Sequence, residues 1–383
     1  MIPGVERIVI VGAGILGTMH AWMAVRAGAE VVHLDADVGP RRASVRNFGL
    51  VWVSGRAAGA ELALAQRARD HWQVIGAAVD GTGFRANGSL TVALDGDELA
   101  VLAGAVELPD ADERGFTLVG PDETAQRNPA VRGRVAGALW CARDAVVEPG
   151  RVLGALRDAL GRTGRYRFEP GRRAVEAGHG VVRDAAGRTE GADLVIVCPG
   201  ADHEGLAAEV LAAAPLRRCR LQMMETAPLG EPCPTSLADI DSLRYYPAFA
   251  SLRLDALAPQ PAVAAEHRMQ LLAVQRLDGG ITIGDTHAYD EPFPVGVTEG
   301  PYEHLRARAE AILGRALPTV VRRWSGVYSQ ATDDSACVRL RLDDTTWVVT
   351  GPGGRGMTLS PALAEDTLVA AGLGDRLAGV VPA

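Results

Sequence analysis

Arg7-Ile8-Val9-Ile10-Val11-Gly12-Ala13-Gly14-Ile15-Leu16-Gly17 decides how the rest of the chain is read. Arg7–Val11 predicts a short buried strand, because four of its five residues are apolar and β-branched. After the glycines an apolar stretch continues as a helix to Ala27. Gly28 ends it, since glycine fits the left-handed position beyond a helix C-terminus. Glu30–Leu34 predicts a second strand, closed by Asp35. Strand, glycine turn, helix, strand and acid occur in the order of a βαβ unit. Gly12 permits the tight turn, Gly14 lets the backbone approach a pyrophosphate, and Gly17 lets helix and strand pack closely. The helix N-terminus offers unpaired N–H groups and a positive dipole end to phosphates. Asp35 is placed to accept hydrogen bonds from ribose hydroxyls. A bound dinucleotide is expected here, and the turn alone does not separate a nicotinamide from a flavin.

Further along, Glu61–Val79 predicts a long helix, and shorter ones are expected at Asp97–Ala103 and Asp122–Asn128. Gly88–Leu94 predicts a strand. Pro149 suits the start of a helix through Leu160. Arg173–Glu176 and Gly180–Arg183 form a hairpin pattern. Asp193–Cys198 is an apolar strand running into Pro199-Gly200. Strands are expected again at Leu216–Thr226, Met269–Arg276 and Gly280–Asp285, and a helix at Tyr302–Ala316. Thr346–Thr350 is a last strand, followed by Gly351-Pro352-Gly353-Gly354-Arg355-Gly356 and a closing helix, Thr358–Ala371. Nucleotide-type signals thus stand at the beginning, middle and end, with strand-rich segments between them. The expected fold class is α/β, with a discontinuous nucleotide domain (1–85, 141–215 and 325–383) interrupted twice by a second, antiparallel-sheet substrate domain (86–140 and 216–324).

The length of 383 residues permits two domains, since one usually takes ~100–200 residues. The net charge of −8 gives no basic footprint for nucleic acid. No lysine occurs, so all 39 basic residues of the Lys and Arg count are arginine. That excludes a Schiff-base lysine and a phosphate-loop lysine. Five cysteines in no CxxC pair read as free thiols of a reducing cytosol, so a cytoplasmic protein is expected. No signal peptide, membrane span or metal site is expected.

Later segments favour a flavin. Asp193–Gly200 resembles the second cofactor-contacting strand of flavin oxidases, and Thr350–Leu359 resembles their C-terminal flavin motif. With Gly12–Gly17, Ser44–Gly49, Gly88-Ser89-Leu90, Val147–Arg151, Gly280–Gly284 and Trp324-Ser325-Gly326-Val327-Tyr328, the chain resembles the glycine oxidase, sarcosine oxidase and D-amino acid oxidase superfamily over nearly its whole length. The implied fold is a glutathione-reductase-like FAD-binding Rossmann domain beside the substrate domain. The implied cofactor is FAD.

The resemblance implies that Gly12, Gly14, Ile15, Leu16 and Gly17 hold the pyrophosphate, with Asp35 and Ala36 at the ribose. Ser44, Arg46, Asn47, Gly49 and Leu50 border pyrophosphate and flavin. Val175 reaches the adenine through its backbone. Gly200 lies near the cofactor, and Gly354, Arg355, Gly356, Met357 and Thr358 border the flavin ring. Noncovalent FAD is implied, because no cysteine closely follows the Trp324–Tyr328 segment. Tyr328 stands where glycine oxidase-type enzymes carry a carboxylate-binding arginine. Thr282 stands where sarcosine oxidases carry a lysine.

Ser44–Trp52, Cys219–Met224 and Ile283–Asp290 resemble the branch of flavin oxidoreductases associated with phosphonate catabolism. That branch implies an aminophosphonate: 2-aminoethylphosphonate or an N-alkyl or hydroxy derivative. The expected reaction is oxidative deamination to an aldehyde and ammonia or an amine, with molecular oxygen as acceptor and hydrogen peroxide as product. Arginines or several neutral donors are needed to hold the anion. The candidates are Arg46, Gln222, Tyr246, His287, Tyr328 and Arg355, with Trp324 at the flavin face. The alternatives are a glycine, sarcosine or D-amino acid type oxidase or dehydrogenase, and a flavin-binding structural subunit.

Overall fold

The computed structural model describes residues 5–377. The outermost residues of the expected nucleotide domain, 1–4 and 378–383, lie outside them, and with residues 1–4 the start of the segment in which no signal peptide is expected. The first strand, Arg7–Val11, sits inside a six-stranded sheet. In spatial order the strands are Val338–Arg341, Thr346–Thr350, Leu194–Val197, Arg7–Val11, Glu30–Asp35 and Tyr166–Pro170. All neighbours are parallel except the pair Val338–Arg341 and Thr346–Thr350.

Alternation along Arg7–Val11 explains why Ile8, Val9, Ile10 and Val11 are all apolar. Ile8 and Ile10 pack with the helices Ile15–Arg26, Pro149–Gly161 and Gly356–Leu368. Val9 packs on the opposite face with Val195, Val197, Val182 and Leu211. Val182 belongs to a three-stranded antiparallel sheet of Ala174–Gly178, Val181–Asp184 and Thr189–Gly191. Both faces of the parallel sheet are therefore covered, which such sheets require.

The second sheet has eight strands: Val320–Ala331, Leu216–Thr226, Ile281–Gly284, Leu272–Gln275, Ser236–Asp239, Ser89–Ala93, Gly137–Cys141 and Phe116–Val119. It is antiparallel except between Ser236–Asp239 and Ser89–Ala93, which run parallel. The six-stranded sheet draws on three separate stretches of chain, and the eight-stranded sheet on two. The boundary expected at 325 falls inside the continuous strand Val320–Ala331.

Asp144 ties the two regions together. Its buried carboxylate accepts from Val53 N, Ser54 N, Ser54 Oγ and Ser89 Oγ at 2.6, 3.0, 2.7 and 2.6 Å. Trp72, fully buried in the helix Ala60–Ala78, donates Nε1–H to Met357 O at 2.9 Å and so fixes the C-terminal glycine segment. All five cysteines are free and buried. Among the described residues no helix is long and apolar enough to cross a membrane.

Candidate active site

The glycine turn is built as its spacing predicts. Gly12 has φ +99°, and a Cβ there would lie 2.2 Å from Cys198 O. A Cβ on Gly17 would lie 1.8 Å from Gly12 O, so only hydrogen fits between helix and turn. Gly14 supplies no side-chain cap to the helix it opens. Ser44 Oγ does so instead, accepting from Ile15 N at 2.9 Å. Asp35 accepts from Ala13 N at 2.6 Å and from Asp37 N at 2.7 Å. Its carboxylate thus braces the turn as well as standing at the end of the second strand.

Under the turn lies His33, which no sequence motif marked. Its Nε2 is 3.1 Å from Gly12 O and its Nδ1 is 2.9 Å from Tyr166 Oη. One arrangement satisfies both: Nε2–H donates to the carbonyl and Nδ1 accepts from the hydroxyl. Burial pushes the imidazole pKa down to about 4, so the ring is neutral.

A cavity of about 680 Å³ opens over this turn, within the ~300–1,000 Å³ usual for cofactor and ligand clefts. Gly14, Ile15, Leu16 and Gly17 line it, together with Ser44, Arg46, Asn47 and Leu50. So do Gly200 and the run Gly354, Arg355, Gly356, Met357 and Thr358. Thr358 Oγ1 accepts from Trp52 N at 2.9 Å, which clamps the C-terminal helix to the segment after Ser44. Of the expected substrate-facing residues, Tyr246, His287 and Tyr328 line the same cavity.

Other expected residues stand elsewhere. Gly12, within the turn, and Asp35 and Ala36, at the end of the second strand, lie outside the lining. Gly49 has φ +69°, and a Cβ there would meet Val147 O at 2.2 Å, so it serves packing. Val175 is on the three-stranded sheet, away from the cavity, with its side chain exposed. Gln222 is turned away by strand alternation. Arg217, Leu221 and Met223 face the cavity, whereas Gln222 exchanges hydrogen bonds with Thr298 on the other side. Trp324 sits outside the lining, with Nε1 3.4 Å from Arg46 O.

The wall also contains residues that the sequence did not single out. Glu61 lies between two arginines, 3.6 Å from Arg56 and 3.3 Å from Arg355. Arg217 is stacked 3.8 Å from the Tyr289 ring centroid. Tyr245 stacks on His287 at 4.2 Å and meets Tyr246 edge-on at 5.1 Å. Asp285, His287 and Tyr289 all line the cavity. Asp285 and Tyr289 stand two residues either side of His287, the period that places alternate residues of an extended segment on one face. The Tyr328 hydroxyl is beside the Cys219 thiol, and it makes no well-formed hydrogen bond among the described residues. Burial raises the pKa values of both Tyr246 and Tyr328, keeping them neutral.

A family model described as DAO, FAD dependent oxidoreductase, matches residues 7–370. The chain belongs to this family. It is similar to an opine oxidase subunit of Rhizobium meliloti, with 26% identity over 338 residues, 85% of this chain and 82% of that one. Among solved structures it resembles glycine oxidase from Geobacillus kaustophilus, with TM-score 0.74 and 18% identity over 97% of this chain and 95% of that one. Iminodiacetate oxidase from Chelativorans sp. BNC1 aligns with TM-score 0.71 and 20% identity over 96% and 95%. These two likenesses show the fold: a parallel-strand sheet and a largely antiparallel one, as expected from sequence.

The cofactor of this family is FAD, and the residues present fit it. Gly12 and Gly17 leave a turn that a single Cβ would fill. One cavity joins that turn, Ser44 and the Gly353–Gly356 loop to the tyrosine-rich wall of the second sheet. The first-turn N–H groups of the helix Ile15–Arg26 suit the pyrophosphate. Gly354, Gly356 and Met357 open the helix Gly356–Leu368 beside the cavity, where its positive end would favour negative charge on a reduced ring.

Proposed function

We propose that this oxidoreductase oxidises the C–N bond of a small anionic amine, and that the anion is a phosphonate. One observation carries the proposal: Arg46 and Arg217 both line the cavity, and neither has a carboxylate partner among the described residues. Arginines held at a cavity without a counter-ion suit a ligand anion. Arg46 is held by donating Nη1–H to Ser325 O at 2.9 Å. Tyr328, in place of the arginine of glycine oxidase-type enzymes, offers a neutral hydroxyl to the same ligand. FAD bound in the cavity supplies the acceptor for a hydride from the amine-bearing carbon. The buried rings of Trp52 and Tyr246 and the half-buried ring of Tyr245 form an aromatic wall at that end. The Arg56–Glu61–Arg355 group braces the loop that borders it. Hydrolysis of the resulting imine gives the aldehyde and ammonia or an amine, with oxygen as final acceptor, hydrogen peroxide as product and FAD held noncovalently.

A second reading follows from the similarity to the opine oxidase protein, which spans most of both chains. It makes the substrate a secondary amine with carboxylate groups. Peroxide formation by the FAD-loaded protein distinguishes the two. The assay compares 2-aminoethylphosphonate and its N-methyl derivative with glycine, sarcosine and an N-carboxyalkyl amino acid. Activity confined to the carboxylates overturns the phosphonate assignment.

A further inference from the structure

Asp285 and Gln270 are cross-strand neighbours just beyond the ladder of Ile281–Gly284 and Leu272–Gln275. Asp285 N donates to Gln270 O at 2.9 Å and Gln270 N to Asp285 O at 3.4 Å. A hydrogen-bonded antiparallel pair sends both side chains to the same face, and both line the cavity. The Asp285 side chain is 7% exposed. Among the described residues its oxygens have only distant partners, Gln270 Nε2 at 3.4 Å and His287 Nε2 at 3.7 Å. Charge-assisted hydrogen bonds are normally ~2.7–2.9 Å. Among the described residues no arginine pairs with Asp285, in contrast to Glu61 on the same wall. Among the described residues, the buried Gln270 Oε1 has no hydrogen-bond partner.

The groups facing Asp285 are His287 beside it, Tyr245 and Tyr246 from the short helix Ser242–Tyr245 and its end, Cys219 from Leu216–Thr226, and Tyr328 from Val320–Ala331. Burial raises the pKa values of these tyrosines and of Cys219, so they stay neutral. His287 is the one group among them that can carry positive charge, and it bonds to Arg268 O through Nδ1 at 2.9 Å. Tyr289, with Arg217 stacked on it, lies further along the same wall. A buried carboxylate is strongly destabilising unless a cation or good donors reach it. Two adjacent open acceptors, one of them charged, suit a group with at least two N–H bonds and a positive charge.

We propose that Asp285, beside the Gln270 amide oxygen, binds the ammonium group of the substrate and takes its proton; this rests on the amine-oxidation reading. One N–H bond breaks, an O–H bond forms on the Asp285 carboxylate, and the electron pair stays on nitrogen. The neutral amine is then the form able to lose hydride from its carbon. Burial raises the Asp285 carboxyl above the ordinary carboxylate range, which makes it a better base than an exposed aspartate. The anion-holding arginines and this acceptor pair divide one cavity into ends of opposite preference.

The test uses FAD-loaded wild type and Asp285→Asn with two ligand pairs that cannot be oxidised. 2-Amino-2-methylpropylphosphonate has no hydrogen on its amine-bearing carbon, and 2-methylpropylphosphonate is its amine-free counterpart. 2-Aminoisobutyrate and isobutyrate form the carboxylate pair. Binding is read from the shift of the flavin absorbance. In the pair that wild type binds, Asp285→Asn weakens the amine ligand about 10-fold or more and changes the amine-free ligand by less than about 2-fold. Equal loss in both ligands, no loss in either, or a wild type that binds neither amine overturns the subsite. Anaerobic flavin reduction by substrate falls roughly 100-fold in Asp285→Asn at neutral pH and recovers as pH nears the pKa of the free amine. A pH profile parallel to wild type overturns proton transfer. If Asp285→Asn loses its flavin, Gln270→Leu takes its place, with several-fold loss of the amine ligand alone expected and equal losses overturning the subsite. Ligand discrimination without flavin reduction by any amine would leave the subsite standing and remove the amine-oxidation reading.

Discussion

His33 Nε2 lies 3.1 Å from the carbonyl oxygen of Gly12, inside the turn that opens the cofactor cavity. The ring is buried and neutral, so its protonation opposes the folded state. Its pKa is about 4 when folded, against 6.5 for the unperturbed group. The unfolded chain therefore binds the proton first as pH falls. The His33 contribution is present above pH 6.5, declines between 6.5 and about 4, and levels off below that, a loss on the order of 3 kcal/mol. His20, buried with the same shift, adds a similar slope. Urea unfolding of wild type and His33→Gln at pH 7, 5.5 and 4 checks this: the variant shows the shallower decline, and equal slopes would assign the pH dependence elsewhere.

Gly17→Ala is expected to cost several kcal/mol and to abolish FAD retention, because its Cβ would sit 1.8 Å from Gly12 O. Gly14→Ala meets only the Ser44 hydroxyl, at 3.1 Å. It should fold and bind FAD more weakly, since the methyl group occupies the pyrophosphate approach. Thermal unfolding separates the two variants, and an FAD titration of Gly14→Ala measures the second effect.

Asp144→Ala removes one buried carboxylate and leaves two N–H groups and two hydroxyls without their acceptor. The expected loss is about 3 kcal/mol or more, measured by denaturant unfolding. Because Val53 and Ser54 lead into Arg56 on the cavity wall, FAD affinity should fall as well. Unchanged stability would mean that another contact holds the Val53–Ser54 segment to the strand Ser89–Ala93.

Arg217→Met keeps an apolar stem over Tyr289 and removes the charge. An anionic amine should show KM raised ~10–100-fold, with kcat less affected. Raising salt should weaken wild type more than the variant. An unchanged KM would place the anion at Arg46 alone.

Local chemistry made much of the fold legible. Leu216–Thr226 and Thr346–Thr350 run between the residues expected from sequence, because apolar alternation and turn residues bound them. Tyr166–Pro170 escaped notice as an edge strand carrying Arg167, Glu169 and Pro170, with no apolar run. In the site, glycine spacing marked the turn directly. Polarity drew attention to Gln222, whereas pairing of Leu216–Thr226 with Val320–Ala331 sets which parity faces the cavity, putting Leu221 opposite Gly326. His33 with Tyr166, and Asp285 with Gln270, depend on pairings between strands or strand ends distant in sequence, which composition and motif spacing do not encode.

Anaerobic titration of the purified, FAD-loaded protein with amines tests the central claim most directly. Flavin absorbance should bleach with 2-aminoethylphosphonate or its N-alkyl derivatives, and faster than with glycine or sarcosine. A flavin that stays oxidised with every amine, or a protein that stays colourless after FAD is supplied, would contradict the account.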